Sequence, residues 1–226
     1  DATETANYTI DVQHVAPAHF QGLANFSVMA ATVPTVTWVG AAGGNWNTAT
    51  NWSTGVLPTA TDNVYIGLPS GQSVAISSGT VTLNSLTVDC DLSVSNGATL
   101  ILNGDSQING NLTLASGNLA GSGSLTVNGL LDWTGGTMSG AGTTTVGSGG
   151  ALVISGATNK YLEGPRVLTN RSAAGSSWSG TGYIDAQSVT GATFNNAGYL
   201  EIQNAQNMYD GTFNNSGVLT KTSAGT

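Results

Sequence analysis

Two acidic residues flank the single cysteine of the chain in the segment Asp89-Cys90-Asp91. Alternation along a strand places both carboxylates on one face, where oxygen ligands at this spacing could bind Ca²⁺. The other interpretation is that both acids are solvated on the outside of a strand, and the sequence favours it. Cys90 shares the opposite face with Val88 and Leu92, which predicts a buried and unreactive thiol.

The other acids do not form the pairs that polysaccharide chemistry requires. Hydrolysis needs two carboxylates about 5–9.5 Å apart, and lyase chemistry needs a basic proton acceptor. The remaining candidates are scattered along the chain, at Asp105, Asp132, Glu163, Asp185, Glu201 and Asp210. No G-x-S-x-G, P-loop, CxxC, HExxH or G-G-x-G-x-D motif occurs in the sequence. We therefore predict a protein that is not an enzyme, with no catalytic residues, no metal site and no cofactor.

Charge and hydropathy exclude several classes of partner. The net charge is −8, from 12 acidic and four basic residues, which argues against binding to nucleic acid or to an anionic membrane. Three of the basic residues fall between positions 160 and 171, where we expect a solvated loop. His14 and His19 have no cysteine or acidic cluster near them, so we expect no metal there. No apolar run reaches the roughly 18 residues of a membrane-spanning helix, so we expect no membrane insertion.

A repeat of about 20 residues positions these side chains. The segment FNNAGYLEI begins at Phe194 and returns 19 residues later as FNNSGVLTK, which begins at Phe213. A fixed period of this length in a β-type sequence predicts one unit stacked on copies of itself. Asn195 and Asn214 would then stack one coil apart and form an amide ladder, or each would serve only as a turn residue.

A second repeated segment extends the pattern towards the N-terminus. NLAGSGSLTV at 118–127 and TMSGAGTTTV at 137–146 are 19 residues apart, and SWSGTGYIDA at 177–186 begins 40 residues after the second. This alignment places Met138 and Trp178 at one core position. Trp133 lies in a stretch that corresponds to that of Trp178, so we expect both rings to pack in the core rather than to stack on sugars.

These features predict an all-β fold, a right-handed parallel β-helix with about 20 residues per coil and an N-terminal capping region. Short apolar runs separated by Gly, Asn and Ser are too short for long hairpins but suit coils that pair above and below. From position 69 onward the chain would form about eight coils, or about 40 Å at a strand spacing of about 4.8 Å.

Three segments divide the chain. Residues 1–34 are expected to form a strand, at Tyr8–His14, and a capping or linking segment. Residues 35–68 contain Trp38, Trp46 and Trp52 and form an opening module that would cover the first coil. Residues 69–226 form the coils and are expected to be open-ended at the C-terminus, because nothing in the sequence resembles a second cap.

The opening module resembles the frame that begins many bacterial surface-exposed β-helices. The positions that match this frame are Asn51, Trp52, Gly55, Pro58, Asp62, Val64 and Ile66. The resemblance extends over most of the chain, because the SGSG and FNNSG phrases are typical of the same large secreted repeat proteins. It implies the adhesin-like and autotransporter-like group with pectin-lyase-like architecture. It also implies an extracellular or cell-surface location in a bacterium.

We accordingly expect a non-catalytic structural or adhesive module that forms a rigid stalk. One alternative is a self-assembling subunit of a filament or surface layer, which stacks end to end or donates its N-terminal strand. Another alternative is a β-helix that binds or cleaves polysaccharide. The expected partners are copies or further repeats of the chain, with a host or matrix polysaccharide as the other candidate.

Overall fold

A computed structural model describes residues 33–186 and 191–222. The predictions for residues 1–32, which include the Tyr8–His14 strand and both histidines, lie outside the described residues. Within this part of the chain the all-β prediction is confirmed, because parallel strands stack as a β-solenoid of about eight turns. One 3-10 helix, at Ala49–Asn51, accompanies the strands in these ranges.

Short strands with Gly, Asn and Ser between them account for nearly all of the regular structure. In chain order they are β1 Val36–Thr37, β2 Asn63–Ile66, β3 Ser73–Ile76, β4 Thr80–Leu83, β5 Ser85–Val88, β6 Asp91–Ser95, β7 Thr99–Leu102, β8 Ser106–Ile108, β9 Leu112–Ala115, β10 Gly117–Ala120, β11 Ser124–Val127, β12 Leu130–Trp133, β13 Gly136–Met138, β14 Thr143–Val146, β15 Ala151–Ile154, β16 Lys160–Leu162, β17 Val167–Asn170, β18 Ser177–Trp178, β19 Ile184–Asp185, β20 Thr193–Asn196, β21 Tyr199–Ile202, β22 Met208–Tyr209, β23 Thr212–Asn215 and β24 Val218–Lys221.

Three parallel sheets form the sides of the solenoid. Sheet 1 has the strand order β1-β2-β5-β8-β11-β14-β17-β20-β23, sheet 2 runs from β3 through β6, β9, β12, β15, β18 and β21 to β24, and sheet 3 runs from β4 through β7, β10, β13, β16 and β19 to β22. The chain therefore visits each sheet once per coil. Apart from the first and last strand of each sheet, every strand pairs with the strand one coil earlier and one coil later, which satisfies backbone groups that a lone coil would leave unpaired.

Alternation of side chains fills the interior. In sheet 1 one inward row consists of stacked aliphatic residues, at Ile66, Val88, Ile108, Val127 and Val146. β-branched side chains pack well on a pleated surface, and here each one covers the equivalent side chain of the next coil. Trp133 is fully buried and Trp178 is 5 % exposed, so the prediction that both rings lie in the core is confirmed.

Coil length is less regular than the sequence period suggested. Successive coils are 19 residues apart at Asn109 and Asn128, but 24 residues apart at Leu152 and Ser176. The alignment of Met138 with Trp178 is therefore wrong. Met138 pairs with Leu162 in sheet 3, while Trp178 lies in sheet 2, two coils beyond Trp133. The separation between paired residues rises from 19 at Val127 and Val146 to 24 at Met138 and Leu162. Extra corner residues between β14 and β16 therefore shifted the phase, which a fixed period cannot follow.

Glycine columns hold the corners close together. A Cβ at Gly136, whose φ is +88°, would overlap the carbonyl oxygen of Gly117 one coil earlier. A Cβ at Gly123 would likewise overlap the carbonyl oxygen of Gly104. The glycines thus permit backbone-to-backbone contact between coils, and that contact keeps successive strands within hydrogen-bonding distance.

Candidate functional site

The three tryptophans of the opening module form one cluster at the N-terminal end of the described solenoid. The ring centroids of Trp38 and Trp52 are 4.9 Å apart, those of Trp46 and Trp52 are 4.5 Å apart, and the indole N–H of Trp52 donates to the Trp46 carbonyl at 2.9 Å. The backbone N–H of Trp46 donates to the carbonyl of Ala75 in β3, at 2.9 Å. Because β3 is the first strand of sheet 2, this loop covers an edge that would otherwise be unpaired.

Asp62 fixes the return of the chain from the tryptophan loop to β2. Its carboxylate accepts hydrogen bonds from the backbone N–H and the hydroxyl of Thr59, each at 2.8 Å, and from the hydroxyl of Thr35 at 2.8 Å. The backbone bond from Thr59 is the main cause that holds the pKa of Asp62 below its usual range. This position of the opening frame is therefore a turn anchor, with all three donors supplied by its own module.

The repeated FNN segments bring Phe194 against Phe213 and Asn195 against Asn214. The two phenyl centroids are 5.2 Å apart in an edge-on arrangement, and the Asn214 amide donates to the Asn195 amide oxygen at 2.9 Å. Phe194 is 1 % exposed, whereas Phe213 is 38 % exposed. Asn195 and Asn214 face outward, so their hydrogen bond lies on the outer surface of sheet 1 and not in the core.

A second amide ladder, which sequence reasoning missed, lies inside the solenoid. The amide of Asn170 donates to the oxygen of Asn196 at 2.9 Å, and the amide of Asn196 donates to the oxygen of Asn215 at 2.7 Å. Asn170 and Asn196 are fully buried. The signal was the second asparagine of each FNN phrase, because the residue after an outward position on a strand must face inward.

The interior asparagines also satisfy the backbone of the corner between sheets 1 and 2. The oxygen of Asn170 accepts from the backbone N–H of Ser172 at 3.1 Å and from the hydroxyl of Ser176 at 3.2 Å. Its amide donates to the carbonyl of Tyr199 in the next coil at 2.8 Å, and Asn196 donates in the same way to Val218 at 3.1 Å. Each buried amide therefore has several partners, as burial in an apolar core requires.

Asp89 and Asp91 begin two polar ladders on an outer corner. Asp89 accepts from the hydroxyl of Tyr65 at 2.6 Å and from the amide of Asn109 at 2.6 Å, and Asp91 accepts from the backbone N–H of Asn111 at 2.8 Å. The hydrogen bond from Tyr65 to the Asp89 carboxylate raises the pKa of that phenol. The two acids thus find protein donors in the neighbouring coils. Among the described residues no group of three or more His, Cys, Asp or Glu side chains could hold a metal.

Cys90 lies between these acids and faces the core. It is fully buried, as the alternation predicted, and burial raises the pKa of its thiol. A thiol in this state holds its proton at neutral pH, so it is a poor nucleophile and a poor metal ligand. The segment Asp89–Asp91 therefore supplies an apolar group to the interior and two hydrogen-bond acceptors to the outer corner.

The expectation of a solvated basic loop at 160–171 is wrong for two of its three basic residues. Lys160 is 0 % exposed and Arg166 is 1 % exposed, while Arg171 is exposed. The guanidinium of Arg166 donates to the hydroxyl of Thr144 at 2.6 Å and to the carbonyl of Ser139 at 3.2 Å. Burial lowers the pKa of Arg166 to about 10, so the group is still cationic at neutral pH.

Glycines make room for both buried cations. A Cβ at Gly142 would lie 2.9 Å from a guanidinium nitrogen of Arg166, and a Cβ at Gly182 would lie 3.0 Å from Nζ of Lys160. Arg166 occupies the corner position that Gly142 occupies one coil earlier. Aligning these two positions in the sequence could have indicated that Arg166 is buried.

The ammonium group of Lys160 is buried without a hydrogen-bond partner in the described ranges. Burial lowers the pKa of Lys160, and its Nζ has no hydrogen-bond partner among the described residues. Burial also raises the pKa of Asp132, and the nearby Lys160 partly opposes that shift.

A shallow groove of about 260 Å³ lies near the C-terminal coils, and its lining includes Arg171, Tyr199 and Val218. In the described ranges no helix is both long and apolar enough to cross a membrane.

Comparison with protein-family models, with curated proteins and with solved structures finds no match for this chain. The described side chains thus form polar ladders, an N-terminal cap and a hydrophobic core.

Proposed function

We propose that the chain is a non-catalytic structural module, a rigid β-solenoid stalk of an extracellular or cell-surface bacterial protein. The observation that carries this proposal is the continuity of the three parallel sheets around one hydrophobic core in the described coils. Each internal strand lies between two neighbours, so bending the stack would require many backbone hydrogen bonds to stretch together. Such a body keeps its ends a fixed distance apart, which is the mechanical requirement of a stalk.

The proposed location has separate support. The opening frame around Trp52 and Asp62 resembles that of bacterial surface β-helices. Charged residues make up only 7 % of the sequence, and the polar surface consists instead of hydroxyl and amide groups. The single cysteine is buried, so the described surface offers no thiol to the redox conditions outside a cell. These features fit a secreted repeat protein.

Limited proteolysis of two glycine variants tests the rigid-module proposal. The wild-type chain should resist a broad-specificity protease throughout 63–186 and 193–215. Gly123→Ala should open cleavage within the coils, because its Cβ overlaps the backbone of Gly104. Gly149→Ala is the matched control, since a Cβ there meets nothing within 4 Å. Rapid cleavage of the wild-type coils, or equal behaviour of the two variants, would contradict the proposal.

A second candidate function is binding of a neutral polysaccharide to the outer face of sheet 1. The strands of this sheet contain no charged residue, and one outward row presents Thr126, Thr145, Thr169, Asn195 and Asn214 in register. Regularly spaced hydroxyl and amide groups can exchange hydrogen bonds with uncharged sugars without desolvating a charge. The spacing of the row is set by the strands, at about 4.8 Å.

Co-sedimentation with insoluble neutral glycans tests this second candidate. Thr145→Arg should abolish binding, whereas Thr113→Arg on the outer face of sheet 2 should leave it unchanged. Absence of wild-type binding to every glycan would eliminate the candidate. Release of soluble sugar that is lost in Asp89→Ala/Asp91→Ala would instead favour an enzyme and overturn the non-catalytic proposal.

A further inference from the structure

The shallow groove of about 260 Å³ lies at the corner between sheets 1 and 2, in the C-terminal half of the described coils. The corner at 171–176 is longer than the corners at 197–198 and 216–217, which follow it along the axis. A longer corner projects beyond the shorter ones stacked on it, and the groove lies at this step. Residues 171–173 and 197–199 form its walls, with Gly217 and Val218 beside them. Both walls belong to coils that have a described coil on either side.

Arg171 brings an exposed positive charge to the groove. Lys160 and Arg166 are buried, whereas Arg171 is exposed. The guanidinium of Arg166 donates to Thr144, but within 33–186 and 191–222 no hydrogen bond or ion pair engages that of Arg171. A guanidinium carries five N–H donors in a planar fork, which matches the two oxygens of a carboxylate. One wall of the groove therefore suits a carboxylate.

The backbone of the other wall adds a second available donor. Tyr199 donates its N–H to the carbonyl of Ser172 at 2.7 Å, whereas the N–H of Gly198 has no acceptor among the described residues. The hydroxyl of Ser172 donates to the carbonyl of Ala174 at 2.6 Å. The hydroxyl of Tyr199 accepts from that of Thr220 at 3.3 Å. The side-chain and amide groups left for a ligand are thus donors.

The rest of the lining is apolar and limits what the ligand can be. Ala173, Ala197 and Val218 contribute methyl groups, and Tyr199 contributes a half-buried ring. A sugar would bring hydroxyl donors that these apolar surfaces cannot accept, whereas an apolar body would be covered by them. The volume is just below the roughly 300–1,000 Å³ of ordinary small-molecule sites, so the occupant is small.

Glu201 determines the direction in which a ligand carboxylate would lie. It follows Tyr199 by two residues on β21 and therefore shares its face of sheet 2. Its carboxylate accepts from the amide of Gln203 at 2.9 Å and from the hydroxyl of Thr222 at 2.8 Å, which holds the negative charge in place. Repulsion from this charge would direct a ligand carboxylate towards the Arg171 end of the groove.

We propose that this groove binds a small apolar monocarboxylate of the arylalkanoate class, with its carboxylate on the guanidinium of Arg171 and on the N–H of Gly198. The apolar body lies over Ala173 and Ala197 and against the ring of Tyr199, where an aromatic ligand packs edge to face or offset. The site adds a specific ligand to a wall that is otherwise structural, and the binding involves no covalent step.

Titration of the full chain with phenylpropionate tests the proposal. The nuclear magnetic resonance signals of the Gly198 amide and the Arg171 guanidinium should shift saturably, while those of β5 should not move. Acetate should bind about 10-fold more weakly or worse, since it has the charge without the apolar body. Phenylpropionamide, which has the body without the charge, should leave Gly198 unshifted. No saturable shift, or equal binding of phenylpropionate and either control compound, would overturn the proposal.

Variants of the exposed cations locate the carboxylate. Arg171→Gln should weaken the binding of phenylpropionate about 10-fold or more, because charge-assisted hydrogen bonds are lost. Arg171→Lys keeps the charge without the planar fork, and its affinity should fall between the two. Lys221→Gln removes an exposed cation outside the groove and should leave the affinity unchanged. An unchanged affinity in Arg171→Gln, or an equal loss in Lys221→Gln, would contradict the assignment.

A pair of tyrosine variants locates the apolar body. Tyr199→Leu should weaken phenylpropionate more than acetate, because the ring contact is lost while Arg171 is retained. Tyr161→Leu, at an outward tyrosine of sheet 3, should change neither affinity. Equal effects of the two substitutions would show that the ligand body lies elsewhere, which overturns the proposal. Because Arg171 is exposed, its variants should keep the wild-type melting temperature, and this measurement separates a loss of binding from a loss of fold.

Discussion

The two halves of the solenoid differ in their polar ladders: the N-terminal half has them on its outer surface, whereas the C-terminal half also has one in the core. In the first half the interior row of sheet 1 is aliphatic through Val146, and Asp89, Asn109 and Asn128 form a ladder on the outer corner. In the second half the same interior row continues as Asn170 and Asn196, fully buried. Both halves obtain coil-to-coil hydrogen bonds from amides, but only the second does so inside the core.

A longer corner accompanies the start of the interior ladder. The first interior asparagine, Asn170, comes where the corner between sheets 1 and 2 lengthens to Arg171–Ser176, and its side chain bonds the backbone N–H of Ser172. A buried corner needs partners for its backbone groups, and an aliphatic residue at this position could not supply them. The ladder then continues at Asn196, although the corner after it, 197–198, is short and Gly217 of the next coil stacks on Gly198. There the amide of Asn196 donates to Asn215 and to the carbonyl of Val218.

The largest expected effect concerns the cap of the N-terminal half. Trp52→Ala should lower the free energy of unfolding by about 3–5 kcal/mol, because it removes a buried ring and opens a cavity beside Trp38 and Trp46. Phe213→Ala, at the open end, should cost about 1 kcal/mol or less. Urea denaturation of both variants measures the contrast. Comparable losses would show that the two ends are equally closed.

The next effect concerns the interior ladder of the C-terminal half. Asn196→Leu should cost about 2 kcal/mol, since it leaves the amide oxygen of Asn215 and the carbonyl of Val218 without their donors. Asn195→Leu, one residue earlier and facing outward, should cost less than about 1 kcal/mol. The same denaturation experiment compares them. A neutral Asn196→Leu would mean that an aliphatic row serves both halves equally well.

A smaller effect should appear as a pH dependence of the C-terminal half. Burial lowers the pKa of Lys160 from its ordinary value of 10.5, so the folded protein binds this proton less tightly than the unfolded chain does. Stability should therefore rise as the pH increases from the lowered pKa towards 10.5, and Lys160→Met should lose that rise.

Urea midpoints measured from about pH 7 to about pH 10 check this trend. Asp132 contributes with the opposite sign, because burial raises its pKa from an ordinary value of 3.8 and its contribution to stability falls as the pH rises through that shift. Parallel pH profiles for wild type and Lys160→Met would show that the buried ammonium does not carry the dependence.

The smallest effect concerns the outer ladder of the N-terminal half. Asp89→Asn should change the free energy of unfolding by less than about 1 kcal/mol, because its partners Tyr65 and Asn109 are close to solvent. Added CaCl₂ should leave the melting temperature of wild type and variant unchanged. If calcium raised the melting temperature of the wild type but not that of Asp89→Asn, this ladder would be a metal site.

The sequence predicted the regular coils well and the irregular ones poorly. The alternation around Cys90, the spacing of Phe194 and Phe213, and the core positions of the apolar runs all follow from local periodicity. The burial of Lys160 and Arg166 does not, because it depends on glycines of other coils whose register shifts once corners lengthen. Local composition predicted that these two cations would be exposed to solvent, but packing between coils buries them.

Because the coils differ in length, mechanical unfolding of the solenoid should proceed in steps of unequal size. All three sheets pair along the same axis, so tension applied to the two termini would peel one coil at a time rather than shear whole sheets. Each step would release the contour length of one coil, about 65 Å for 19 residues and about 90 Å for 26, at about 3.4 Å per residue. A force-extension trace would thus report the order of peeling directly from the sizes of its steps.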